Sequence, residues 1–532
     1  MGKPINVVRR LTEIGAALSA EKDHGRLMEL ILESARELTG ADGGTLYTRT
    51  DADELKFEIM LTQSQGIHLG GTSGKPVTLP SVPIYDADGE PNHSAIAAYC
   101  AVTRKTINVA DAYDTAEFDF SGTRAFDEKN GYRSRSFLTV PMLNHEDEII
   151  GVLQLLNARD TARNNESRAF SMEEGELVES LASQAAIALT NRRLLEEQKV
   201  LFDSFVKLIA TAIDEKSPYT GGHCRRVPEL TMMLAEAAAD TTQGPLADFH
   251  MSEDDRYELH IAGWLHDCGK VTTPEYVVDK ETKLQAIYDR IGVVAMRVDS
   301  LKRQARVDML EALVAGGSYQ DLEAEYSETV RALNDDLAFL RRFNVGGEFM
   351  AAQDMERVKA IGARAMPEGA EQATLLNEEE IYNLCISRGT LNDKERAVIN
   401  HHIVATISML ESLPYPKHLQ RVPEFAGGHH ERMDGKGYPR GLKREDMSVQ
   451  ARVMGIADIF EALTAGDRPY KKAMKLSQAL TILGRMKEDD HVDPDLFDVF
   501  VRKKIYMRYA QEFLEPFQID IIDESTIPGY SP

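Results

Sequence analysis

The sequence predicts a multidomain chain: an α+β unit, built as an antiparallel sheet flanked by helices, then a linking helix, then an all-α domain carrying a helical insertion. Three observations predict it. At 532 residues the chain exceeds what one hydrophobic core usually organises. Strand-like runs are confined to residues 43–158, with helical apolar spacing on either side. Beyond residue 200 the periodicity is mainly helical, and ten of the 14 histidines lie there.

Val8, Leu11, Ile14 and Leu18, then Leu27, Leu30, Ile31 and Leu38, fall at helical spacing and stop at Gly40. The runs GGTLYTRT, LKFEIMLTQ, KTINVA, RSFLTVPML and EIIGVLQLLNA cluster or alternate apolar residues between Gly, Asp and Asn turns, so they read as strands. SMEEGELVESLASQAAIALTNRRLLEEQ returns to helix. Between about 185 and 212 one helix should link the units, with Ile187, Leu194, Leu201 and Leu208 recurring every seven residues around the polar Asn191 and Gln198. That pattern suits a connecting helix packed on its own domains, or a parallel signalling helix that makes a homodimer. From 281 to 388, Leu284, Ile287, Ile291 and Val294 keep helical spacing, and Gly316-Gly317 and Gly346-Gly347 break the segment into an all-helical insertion.

A net charge of −25 argues against polymeric DNA or RNA, or an anionic membrane, as the main partner, while leaving room for a small anion in a locally basic pocket. No apolar stretch approaches the length of a spanning helix, and MGKPINVVRRLTEIG lacks the apolar core of a signal peptide, so a cytoplasmic location is expected. Cys100, Cys224, Cys268 and Cys385 are far apart and form no CxxC pair, as expected of reduced thiols.

Over residues 1–190, FDEKNGYRSRSFLTVPML, IIGVLQLLNARD and FSMEEGELVESLASQAAIAL resemble a GAF domain, a small sensory module. Cyclic-nucleotide-binding members carry Asn-Lys, then Phe, three residues and Asp-Glu. Here Ala158 follows Asn157, and Glu174-Gly175 stand after Phe170, so the match is partial and the ligand stays unnamed.

Chemistry gathers in the second half, in YTGGHCRRV, HDCGK, INHHIVAT, GHHERMDGKGYPRGL and MGIADIFEALTAGDRPY. A mixed imidazole and carboxylate set suits first-row divalent ions, and one aspartate can bridge two of them through its two oxygens. His223, His266, Asp267, His402, His429, His430 and Asp458 together offer seven ligands, enough for a dinuclear centre. Arg225, Arg226, Arg432, Lys436, Arg440 and Arg452 make a basic neighbourhood, some of which should merely pair with carboxylates.

Residues 200–520, apart from the insertion, resemble the HD-GYP family of cyclic dinucleotide phosphodiesterases. HDCGK matches its HD-x-G-K element, HHERMDGKGYP its HH-E-x-x-D-G-x-GYP signature, and IADIFEALTAGDRPY its late aspartate. The resemblance implies that His223, His266, Asp267 and Asp458 hold one metal and His402 and His429 a second, with Asp267 as the bridge and His430 a further ligand. Of the neighbours His401 and His402, the pattern selects His402, followed by Thr406 and Leu410.

It also implies Lys270 and Asp267 as catalytic, and Arg226, Arg432, Lys436, Gly437, Tyr438 and Pro439 at the substrate. The implied activity is GAF-regulated hydrolysis of cyclic di-GMP to pGpG and, where it continues, GMP, with two ions of iron or manganese and a homodimer. The alternatives are a slow metal-bound cyclic di-GMP sensor acting through protein partners, and a general HD-type phosphohydrolase, which leaves HHERMDGKGYP unexplained. Two features depart from the family. Tyr219 stands where members with a third metal carry glutamate, so two ions are expected, and the segment 281–388 separates HDCGK from its counterpart RGTLNDKE.

Overall fold

The computed structural model describes residues 3–86, 88–115, 117–160, 166–216, 222–347, 349–367, 369, 372–466 and 473–531. The chain divides into two compact units, Met1–Leu201 and Phe202–Pro532.

The first unit comprises α1 (Lys3–Ala20), α2 (His24–Thr39), β1 (Ala41–Arg49), β2 (Glu54–Thr62), β3 (Ile67–Gly70), β4 (Val82–Pro83), α3 (Ile96–Thr103), β5 (Ile107–Val109), α4 (Ser121–Asn130), β6 (Phe137–Leu143), β7 (Ile149–Asp160), β8 (Glu166–Arg168) and the start of α5 (Met172–Lys216). The apolar run before Gly40 is two helices, because Asp23 caps α2 by accepting from the Arg26 amide. The sheet is antiparallel in the order β3-β2-β1-β7-β6-β5, with β4 beside β2 and β8 beside β7.

Its side chains alternate between two cores, as a two-residue period requires. Leu46 and Leu153 pack with Ile31 and Leu181 of the helices on one face, while their chain neighbours Tyr47 and Val152 pack with Cys100 and Ala101 of α3 on the other. The residues of the partial nucleotide pattern serve the fold. Asn157 Oδ1 accepts from the Arg135 and Ser136 amides, Phe170 is buried, and Glu174 pairs with Arg168.

The second unit is helical: α6 (His223–Ala239), α7 (Glu253–Leu265), α8 (Glu275–Val278), α9 (Ile291–Val314), α10 (Tyr319–Asn344), α11 (Ala352–Gly362), α12 (Glu378–Leu384), α13 (Asp393–Glu411), α14 (Val422–Gly427), α15 (Val449–Thr464), α16 (Leu476–Glu488), α17 (Pro494–Arg502) and α18 (Ile505–Phe513). α6 packs against α7, α15 and α17, and α13 packs against the turn 268–272 and α14. Leu230, Leu259, Phe425, Ile456 and Phe460 meet in one core.

Residues 284–385 have a smaller core of their own, which includes Leu284, Val294, Leu337 and Phe343. The regular helical spacing across 284–294 is not realised as one helix. Ile287 is 97% exposed and α9 begins only at Ile291, because Leu284 donates its amide to Asn344 Oδ1 in a turn. The buried Lys283 donates to the carbonyls of Leu384 and Ile386, joining the two ends of the segment. Among the described residues no helix is long and apolar enough to cross a membrane, and the four cysteines are free.

Candidate metal centre

Three helices and two turns deliver the ligand set. α7 starts from a Ser252–Asp255 capping box and ends at His266, so Asp267 falls at the start of the tight turn Cys268–Thr272. Gly269 is required in that turn, since a Cβ would collide with the His402 carbonyl oxygen and the Thr406 amide of α13. That close approach is fastened by the Gly269 amide donating to Thr406 Oγ1 at 2.9 Å. His402 lies buried on α13 and His401 is exposed, while His429 and His430 follow α14. Asp458 rides on α15, and His223 opens α6 directly after Gly222, which adopts φ +84°.

These side chains converge. His223 Nε2 stands 3.1 Å from Asp267 Oδ2, 3.3 Å from Asp458 Oδ1 and 3.2 Å from His266 Nε2. On the other side, Asp267 Oδ1 is 3.4 Å from His402 Nε2, which is 3.2 Å from His430 Nε2. Two groups thus form, His223, His266 and Asp267 in one and His402, His429 and His430 in the other. The His266 and His429 rings, 5.0 Å apart, join them.

The tautomers are set from behind. His266, His402 and His429 each donate Nδ1–H to the carbonyl three residues back, of Gly263, Ile399 and Ala426, at 2.7, 2.5 and 2.6 Å. A carbonyl only accepts, so each Nε2 keeps its lone pair for the centre. His223 instead meets Glu461 Oε2 through Nδ1 at 2.5 Å, and Arg226 Nε donates to Glu461 Oε1 at 2.7 Å.

Charge and burial favour a cation. Burial pushes His429 well below the usual imidazole range and His430 down to about 4, so both rings are neutral and able to coordinate. Burial pushes the Asp267 carboxyl up, but the charge of Lys270 works against it, and the carboxyl lies well below the usual range and is ionised. Asp267 Oδ1 and His429 Nε2 are buried without a hydrogen-bond partner among the described residues. A buried polar atom left unmet costs about 1–3 kcal/mol, and two of them aimed into one imidazole and carboxylate cluster are what divalent ions would satisfy. The donor set fits the expected metals.

Lys270 Nζ stands 2.5 Å from Asp267 Oδ2. Desolvation opposes its ammonium, but Asp267 prevails and raises its pKa, so it is charged at neutral pH. Tyr438 stacks on His430 with ring centroids 4.8 Å apart, placing the loop 437–439 beside the centre. Gly437 allows that loop to pass against the Glu431 and Arg432 backbone, where a Cβ would collide. Glu431 holds the loop by accepting from the amides of Arg440 and Leu442, at 2.8 and 2.9 Å.

The basic residues are largely paired. Arg226 meets Glu461, Arg432 and Lys436 meet Asp434, Arg440 meets Glu411 and Arg452 meets Asp493. Tyr219 lies outside the described residues. Sequence reasoning missed Glu461 and Glu431, and read Thr406 only as a marker for His402, not as the acceptor that holds the Gly269 turn. For Glu461 the available signal is its position three residues after Asp458, on the same face of α15.

Two family models match the chain, a GAF domain over residues 23–189 and an HD domain over residues 377–496. The chain joins a GAF domain to an HD domain. The HD match contains His402, His429, His430 and Asp458, while His223, His266 and Asp267 precede it, on the far side of the segment 281–388.

Among curated proteins, the chain is 38% identical over 114 residues to the 3′3′-cGAMP-specific phosphodiesterase 1 of Vibrio cholerae, covering 21% of this chain and 26% of that protein. It is 37% identical over 115 residues to a cyclic di-GMP phosphodiesterase of Pseudomonas aeruginosa, again 21% of this chain and 26% of the relative. The chain therefore spans about a quarter of the length of these relatives. A solved GAF domain of a Coxiella burnetii phosphoenolpyruvate-protein phosphotransferase is 18% identical, with a TM-score of 0.28, covering 37% of this chain and 99% of that one.

Proposed function

We propose that the HD-containing unit is a metal-dependent phosphodiesterase that opens cyclic di-GMP, or a related cyclic dinucleotide, to the linear dinucleotide, pGpG in the case of cyclic di-GMP, and, where hydrolysis continues, to GMP. The observation that carries this is the placement of Asp267, whose Oδ2 faces His223 while its Oδ1 faces His402. One carboxylate between two histidine groups is the arrangement a bridging ligand needs. The relatives' names, cyclic di-GMP and 3′3′-cGAMP phosphodiesterases, support the substrate class.

His223, His266, Asp267 and Asp458 would hold one ion and His402, His429 and His430, with Asp267, a second. Iron or manganese there would supply charge against the phosphate and lower the pKa of a water. The chain's own groups complete the chemistry. Lys270 keeps an ammonium where charge develops on the phosphoryl oxygens. The neutral His429 and His430 leave that field undiminished. Tyr438, stacked on His430, walls the site beside the substrate loop 437–439. Arg432 and Lys436, already paired with Asp434, would reach the substrate only by leaving it.

We assign residues 1–190 as the sensory domain, 185–212 as its signalling helix and 200–520 as the catalytic domain, into which 281–388 is inserted. Ile187, Leu194, Leu201 and Leu208 are each more than half exposed along α5, which supports parallel pairing of two chains on this seam. The test is product analysis on anaerobically purified, metal-loaded chain with cyclic di-GMP and 3′3′-cGAMP. Appearance of the linear dinucleotide supports the enzyme. Bound metal with both substrates intact overturns it in favour of a sensor.

A further inference from the structure

His223 differs from the three histidines that are oriented by a backbone carbonyl three residues earlier. It is the first residue of α6, and its Nδ1 meets a side chain instead. The acceptor comes from elsewhere: Glu461, on α15, is 1% exposed and places Oε2 2.5 Å from His223 Nδ1. The other oxygen, Oε1, faces Arg226 Nε at 2.7 Å. Arg226 lies on α6 itself, one turn after His223, so both residues reach the same carboxylate from one helix.

We propose that Glu461 and Arg226 form a tautomer lock on His223, with Glu461 as the positioning residue that keeps the proton on Nδ1 and the lone pair on Nε2. This rests on the metal reading proposed above and adds to it a reason for one ligand's competence. A guanidinium has only donors, so the Glu461 oxygen it meets is an obligate acceptor. An ionised carboxylate also has only acceptors, so its second oxygen demands a proton on His223 Nδ1. Nε2 is then the nitrogen turned towards Asp267 and Asp458, and its lone pair would serve an ion bound between them.

The lock makes an unusual prediction for Glu461→Gln, which has nearly the same shape. Opposite Arg226 the new amide must present its oxygen, and its NH2 group then points at His223 Nδ1. A donor there requires Nδ1 to accept, which moves the proton to Nε2 and removes the lone pair that would bind metal. Removing the guanidinium as well, in Arg226→Met with Glu461→Gln, frees the amide to turn its oxygen to His223 and restores the competent tautomer. A merely structural Glu461 predicts the reverse order, with the double variant worse than the single one.

The experiment is anaerobic calorimetric titration of metal-stripped full chain with Mn2+, with circular dichroism as a check on folding. Wild type should show two bound ions. Glu461→Gln should bind one of them about ten- to a hundredfold more weakly, the range for losing a partner behind a ligand, and the double variant should return to within about threefold of wild type. Unchanged affinity in Glu461→Gln, or a double variant as weak as the single one, overturns the lock while leaving the two-metal centre standing. Should Glu461→Gln fail to fold, the double variant still decides: near wild-type affinity supports the lock, and a tenfold or greater loss overturns it. A wild-type chain that binds no Mn2+ overturns both the lock and the metal reading beneath it.

Discussion

Asp267 Oδ1 lies 3.4 Å from His402 Nε2, although all of the segment 281–388 separates the two residues in the chain. The turn 268–272 and α13 make that meeting possible, and everything proposed for the centre depends on it. Asp267→Ala should therefore abolish both metal retention and phosphodiester hydrolysis, and Asp267→Asn should do nearly as much, since a neutral amide loses the bridging charge. Elemental analysis beside a turnover assay checks this; two retained ions with near-normal turnover would refute the bridge.

Lys270 separates chemistry from assembly. Its Nζ contacts Asp267, yet an ammonium cannot ligate a metal. Lys270→Ala should keep both ions and slow hydrolysis by about a hundredfold or more, the scale of losing one transition-state donor. Equal turnover in variant and wild type would reduce Lys270 to a structural cation.

Gly269 tests the closeness of the turn to α13. A methyl group there meets backbone atoms of His402 and Thr406, which cannot swing aside as a flexible side chain would. Gly269→Ala should lose about 1–3 kcal/mol of stability, the usual penalty of overpacking, and weaken metal binding by moving Asp267 away from His402. Thermal unfolding with metal analysis reads both, and a variant matching wild type in each would show that the contact has room to relax.

The GAF domain carries a buried acid whose titration has a definite sign. Glu29 is 2% exposed and accepts from the Thr72 amide and hydroxyl, at 2.8 and 2.7 Å, and from Arg26 at 3.0 Å. Burial pushes its pKa up, but these bonds and His68 outweigh it and hold it at about 2, below the ordinary 4.5. A depressed acid stabilises the fold fully above its unfolded pKa and loses that contribution as pH falls towards the folded value. Glu29→Gln should cost on the order of 3 kcal/mol at pH 7, with the difference from wild type shrinking as pH drops from 4.5 towards 2. Hydrogen exchange of the α2 amides measures it; a difference constant over that range would exclude the linkage.

The legible parts of the sequence are those with local periodicity or fixed spacing. The five strand-like runs overlap β1, β2, β5, β6 and β7, whereas the short β3, β4 and β8 were not read as strands. The histidines and aspartates were visible because HDCGK and HHERMDGKGYP bind chemistry to short spacings. Glu461 was not, because its role comes from His223, which is distant in sequence and becomes a neighbour only when α15 packs on α6. Ile287 misled for the opposite reason: helical spacing continued through residues that Asn344 draws into a turn.

The most direct measurement is the metal content of anaerobically purified chain, taken with the products formed from cyclic di-GMP by the same sample. Two ions of iron or manganese per chain, with pGpG appearing and both lost together in Asp267→Ala, is the expected result. Three fully occupied ions, or pGpG formation that persists after the metals are stripped, would contradict a two-ion centre bridged by Asp267.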